Sequence, residues 1–149
     1  MSPDGSRLVF FRRAPAHLGR PALEKFARQL RDEAASGRSF ECLITDDREL
    51  RRLNATFLGK DYPTDVLSFP DPQPGGFLGE IAISGQRAAE QAERFGHGPE
   101  EEIRILMLHG VLHLTGLDHE TDRGRMRRAE TAWRRKLGLP AGLVERVRS

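Results

Sequence analysis

Apolar residues along this chain alternate between a spacing of two, which suits a strand, and a spacing of three to four, which suits a helix. The run Arg7-Leu-Val-Phe-Phe11 is short and β-rich and predicts a first strand. From Pro21 the spacing becomes helical. Leu23, Phe26, Ala27 and Leu30 fall on one face, with proline in the first turn and Gly37 to close the element. Ser39–Thr45 has strand character. Asp46 is placed to cap the next helix, with Glu49 as its capping-box partner. Leu50, Leu53 and Phe57 form that helix's expected inward stripe, and Gly59 ends it. Asp65–Phe69 and Leu78–Ser84 predict two more strands. The turn formers of Pro70-Asp-Pro-Gln-Pro-Gly-Gly76 join them as an exposed hairpin connection. Three helices follow. One spans Gln86–Phe95 and is ended by Gly96. The next spans Pro99–Thr115, with proline and three glutamates in its first turn. The last runs from a cap at Asp122 to Leu137, ended by Gly138 and Pro140.

The helix from Pro99 carries Ile103, Ile105, Leu106, Met107, Leu108, Val111, Leu112 and Leu114, and so is apolar on nearly every side. Such a helix is buried, and any polar side chain on it needs a partner other than bulk water. The order β-α-β-α-β-β-α-α-α predicts an α+β fold, a single domain over residues 1–149. A four-stranded mixed sheet is packed by about five helices, with the buried helix against it.

Composition sharpens this only in places. The chain has 149 residues, 38% hydrophobic and 31% charged, which fits a globular protein that buries its own core. No apolar run approaches the ~20 residues needed to span a bilayer, and the start Met1-Ser-Pro-Asp-Gly has no signal-peptide core. No membrane partner and a cytoplasmic location are therefore expected. Cys42 is the only cysteine, so no internal disulfide forms, and it reads as a small apolar strand residue. The net charge of +2 conceals an asymmetry. Acidic residues dominate Asp71–Asp122, whereas Lys and Arg dominate Arg123–Ser149. A basic stretch of this kind suits either a polyanionic partner or a solvated helix face.

The chemistry concentrates in His109-Gly-Val-Leu-His-Leu-Thr-Gly-Leu-Asp-His119. His109 and His113, four apart, share a helix face and can close on one ion. Gly116 is suited to a left-handed helix end that swings His119 toward the same point. Three imidazoles predict one zinc per chain at the end of the buried helix, with a fourth position open to water. Nickel, cobalt, copper or iron are alternatives. A closed structural zinc completed by Asp118 or Asp122 is a second possibility, but Asp118 fits better as a group orienting an imidazole. His17 and His97 fall outside the pattern. The spacing resembles that of metzincin proteases, but Gly110 stands where those enzymes carry their glutamate base. Peptide hydrolysis would then need Glu80, Asp118 or Glu120 near the metal. A phosphodiester instead asks for a metal-bound water and positive charge, offered by Lys60, Arg51–Arg52 and Arg123–Arg128.

A second segment, Asn54-Ala-Thr-Phe-Leu-Gly-Lys-Asp-Tyr-Pro-Thr-Asp-Val-Leu-Ser-Phe-Pro70, combines a glycine helix end, a loop with Lys60 and Asp61, and a Pro63-Thr-Asp lead into a strand. Taken alone it is turn chemistry, with Lys60 an isolated cation where a phosphate contact could sit. Together with residues 109–119, and with Gly79-Glu-Ile81 between them, it closely resembles the YbeY family over roughly residues 40–138. That resemblance implies zinc on His109, His113 and His119 and a single-strand-specific endoribonuclease. It further implies action on ribosomal RNA in 16S 3′-end maturation and ribosome quality control, with the RNA phosphate backbone and the ribosome as partners. Lys60 is the candidate catalytic side chain. Where the family has arginine before Gly-Lys-Asp this chain has Leu58, and Phe57 replaces the preceding tyrosine. The competing expectations are a metalloprotease or peptidase, and a non-catalytic ribosome-assembly factor with a structural zinc.

Overall fold

Residues 39–45 and 77–84 are apolar toward both faces, the pattern of strands covered on both sides, and they form the middle of the sheet. The computed structural model describes residues 7–73, 75–117 and 124–140. Its strands are β1 (Val9–Phe11), β2 (Ser39–Thr45), β3 (Val66–Pro70) and β4 (Phe77–Ser84). Their order is β1-β2-β4-β3, with β1 parallel to β2, β2 parallel to β4, and β3 antiparallel to β4 along one edge. The helices are α1 (Arg20–Glu33), α2 (Asp47–Leu58), α3 (Gly85–Phe95), α4 (Pro99–Leu114) and α5 (Arg125–Leu137). The expected α+β class, mixed sheet and element order are therefore present. Among the described residues no helix is long and apolar enough to cross a membrane.

The two faces of the sheet are covered unequally. Ile81 and Ile83 of β4, with Phe40, Cys42 and Ile44 of β2, enter the main core with α1 and α4. Burial pushes the Cys42 thiol pKa up, so it stays a neutral core group. On the other face α2 covers less: Leu50, Leu67 and Ala82 form a small second cluster flanked by Leu53 and Phe69.

Several local expectations need correction. Leu50 is fully buried and Leu53 half-buried, but Phe57 is 63% exposed. In the last turn of α2, Phe57 stands against the ring of Phe69 on β3, centroids 5.8 Å apart, at the edge of the sheet. Asp46 does cap α2, accepting from the Glu49 N–H at 2.9 Å. The Glu49 carboxylate does not complete a capping box, because it accepts from Arg13 and Arg52 instead. Helix α1 begins one residue before Pro21 and ends at Glu33, and Gly37 closes the turn beyond it. The last helix starts at Arg125 with Gly124 at its N-cap, whereas the expected cap, Asp122, lies outside the described residues.

Candidate active site

Helix α4 carries the site, and its packing decides which way each side chain faces. Proline and three glutamates open it, and it then runs against β3, β4, α1, α3 and α5. Gly110 sits where α4 lies closest to the sheet. A Cβ there would stand 2.9–3.1 Å from three side-chain carbons of Ile81. The missing glutamate thus has a packing cause: position 110 faces the core. The Ser68 hydroxyl of β3 donates to the Gly110 carbonyl at 3.3 Å, tying the edge strand to the same turn of helix.

On the neighbouring face, His109 and His113 converge. Their Nε2 atoms are 3.1 Å apart and their rings meet edge-to-face, centroids 4.6 Å apart. His109 is buried and His113 half-buried. The His109 Nδ1 lies 2.8 Å from Oε2 of Glu130, a fully buried carboxylate on α5. Gly116 has φ +105°, the left-handed turn expected of it. The Gly116 N–H donates to the His113 carbonyl and the Leu117 N–H to the Leu112 carbonyl, the paired bonds of a Schellman ending. The chain is thereby turned at the foot of the two imidazoles. His119, Asp118 and Glu120 lie outside the described residues. Among the described residues no three His, Cys, Asp or Glu side chains gather into a metal-binding group. His109 and His113 are the described residues that could share an ion.

Both histidines open into a cleft of about 470 Å³ walled by Leu58, Lys60, Val66, Ser68, Pro70 and Leu117. Lys60 is thus brought to the histidines across nearly fifty residues of chain. The loop that presents it is held from beneath by Asn54, which is buried. The Asn54 side chain donates to the Tyr62 carbonyl at 3.0 Å, and the Asn54 backbone carbonyl accepts from the N–H groups of Gly59 and Lys60. Gly59 adopts φ +68°, which lets the chain leave the helix in this direction. Next to it, the exposed pair of Arg51 and Asp61, 2.9 Å apart, raises the pKa of the Arg51 guanidinium through the hydrogen bond. Lys60 is the charged side chain among the described residues lining the cleft, and no carboxylate is among them.

Other predicted candidates are not brought to this point. Arg52 and Glu80 line a separate groove of about 340 Å³ with Arg12, Phe57 and Phe69, on the α2 side of the sheet. Alternation along β4 sends Glu80 to that side and Ile81 toward α4, so Glu80 cannot act as base at the histidines. His17 is exposed, and His97 is half-buried with its ring nitrogen 2.7 Å from Glu102 at the opposite end of α4. Sequence reasoning missed Glu130, Asn54 and Ser68. Glu130 was signalled by its place in the apolar stripe Met126–Trp133–Leu137 of α5, where an acid is out of pattern.

The chain matches the family model described as Endoribonuclease YbeY over residues 15–138. It is 64% identical over 148 residues to the Endoribonuclease YbeY of Solibacter usitatus (strain Ellin6076), covering 99% of each chain. Against that of Koribacter versatilis (strain Ellin345) identity is 44%, covering 94% of this chain and 91% of the other. The solution structure of TM1509 from Thermotoga maritima superposes with a TM-score of 0.57 at 26% identity, covering 85% of this chain and 86% of that one.

Proposed function

The chain belongs to the YbeY endoribonuclease family, and on that premise we propose that it is a zinc-dependent endoribonuclease. It cuts single-stranded RNA in the maturation of the 16S 3′ end and in ribosome quality control, with ribosomal RNA and the ribosome as its partners. The observation that carries this reading is the common cleft of His109, His113 and Lys60. It sets imidazole nitrogens and a cation on facing walls.

The residues present fit the metal. Two nitrogens on a tetrahedral zinc with bonds of ~2.0–2.1 Å stand about 3.3 Å apart, close to the 3.1 Å between His109 Nε2 and His113 Nε2. An all-nitrogen donor set suits zinc, and His109, His113 and His119 would hold it. When bound, zinc would supply a Lewis acid and lower the pKa of a coordinated water toward neutrality.

The rest belongs to the chain's own groups. Lys60, exposed on its loop, attracts and holds an RNA phosphate against the histidine wall. Asn54 keeps that loop in one conformation, so the ammonium is positioned before substrate arrives. Leu58 lines the same cleft and offers an apolar wall where the family places a guanidinium. Among the described residues peptide hydrolysis finds no base in the cleft, since Gly110 faces Ile81 and Glu80 faces the other side of the sheet.

The test uses purified protein with zinc content measured by mass spectrometry, a single-stranded RNA carrying the 16S 3′-end sequence, and the variants Lys60→Ala and His113→Ala. We expect about one zinc per chain, chelator-sensitive cleavage, and loss of both zinc and cleavage in His113→Ala. Zinc-loaded protein that leaves the RNA intact, with an unaltered 16S 3′ end in a deletion strain, would overturn the reading. A His113→Ala protein that loses thermal stability but still supports RNA processing would favour a structural zinc.

A further inference from the structure

We infer that Glu130 is a positioning residue for the site: its carboxylate fixes the proton of His109 on Nδ1 and leaves the Nε2 lone pair facing the cleft. This rests on the zinc reading above. It starts from an oddity of α5, where Glu130 lies within the apolar stripe and is fully buried, while the arginines of that helix are at most half-buried. Burying a carboxylate is costly, and a buried charged pair is often replaceable by apolar packing without loss of stability. Packing alone therefore does not call for an acid at this point. One of its contacts shows a role for it.

With the carboxylate as acceptor, the 2.8 Å contact between His109 Nδ1 and Glu130 Oε2 places the proton on Nδ1. A neutral imidazole carries one proton, and Nε2 is then left as an unprotonated donor atom. It points at His113 Nε2, 3.1 Å away. The two nitrogens of one ring thus face opposite environments, one sealed in the core between α4 and α5, the other in the cleft. The contact also holds the ring plane, which otherwise turns about the side-chain bonds. A ligand fixed in tautomer and orientation loses less on binding a metal than a free one. Helix α5 is therefore part of the site without touching the cleft.

The experiment compares the protein with Glu130→Gln, which keeps the shape and can accept from Nδ1–H or donate to a bare Nδ1. Long-range proton–nitrogen correlation spectra of the metal-free protein, above the imidazole titration range, read the His109 tautomer directly. We expect Nδ1–H in the unaltered protein and a mixture of tautomers in Glu130→Gln. Zinc affinity, measured by competition with a chromophoric chelator, should weaken about 10–100-fold in the variant, with little change in the melting temperature of the metal-free form. His109 found as the Nε2–H tautomer in the unaltered protein would overturn the inference without recourse to any variant. So would equal zinc affinity in both proteins, or a variant whose only defect is a lower melting temperature. An unaltered protein that shows the Nδ1–H tautomer yet binds no zinc would instead remove the zinc reading and leave the tautomer assignment standing.

Discussion

Adding one methyl group at Gly110 sets two known effects against each other. In an open helix, glycine to alanine gains about 0.8–1.0 kcal/mol of helix propensity. Here the new Cβ would meet Cδ1, Cγ2 and Cγ1 of Ile81 at 2.9, 3.0 and 3.1 Å. Carbon atoms pack best at about 3.5–4.0 Å, so each contact is short by roughly half an ångström or more. All three atoms belong to one branched side chain, which cannot turn aside without presenting another branch. Overpacking of this kind costs about 1–3 kcal/mol. The clash wins, with a net loss of about 1 kcal/mol for Gly110→Ala, or roughly 2–4 °C in melting temperature for a chain of this size. Urea unfolding followed by circular dichroism measures it. Pairing the change with Ile81→Ala removes all three atoms, so in that background Gly110→Ala should become stabilising, a coupling of about 1 kcal/mol or more. A Gly110→Ala protein more stable than the parent, or equal effects in both backgrounds, would refute the packing argument and return position 110 to the cleft.

Three further outcomes follow from the cleft. Lys60→Ala should raise KM for RNA and reduce the dependence of binding on salt by about one phosphate contact, while zinc content stays unchanged. Asn54→Ala leaves the Tyr62 carbonyl without its side-chain donor. It should lower stability by about 1–3 kcal/mol and raise KM in the same direction as Lys60→Ala, again with zinc retained; an unchanged KM would separate the loop clamp from substrate binding. Leu58→Arg places a guanidinium on the cleft wall, where Leu58 is 46% exposed and has room to be replaced. Cleavage should increase, and a variant that folds normally without any gain would show that the arginine's absence does not limit this protein.

Much of the fold can be read from local chemistry. Glycine helix ends at Gly59, Gly96, Gly116 and Gly138, the apolar periodicity of α1 and the all-round apolar character of α4 are properties of short windows, and the structure has them where expected. What a short window misreads depends on where an element ends relative to its neighbours. Phe57 keeps the helical spacing of Leu50 and Leu53, yet it meets the ring of Phe69 on the edge strand β3 and stays 63% exposed. Glu49 has the capping-box position, but Arg13, from a distant loop, offers its carboxylate a competing partner. At the site, the histidine pair is legible because both residues lie on one helix. Glu80 misleads because the face of a strand cannot be known until its register against the helices is fixed. Glu130 escapes notice because its significance is a contact between two helices, and no window of sequence contains both partners in contact.

The sheet order has a consequence for how the site breathes. The histidine wall is α4, deep in the main core and backed by α5, whereas the facing wall includes β3, an edge strand paired on one side only. Ser68 and Gly110, 42 residues apart, are joined across the walls by a long hydrogen bond of 3.3 Å. Edge elements with few buried contacts open at lower free energy than the core they lean on. Amides of β3 should therefore exchange with solvent well before those of α4. Transient release of the β3 wall would open the cleft while the imidazoles stay in register, so that access to the cleft and the geometry of the histidine pair draw on separate opening reactions of one fold.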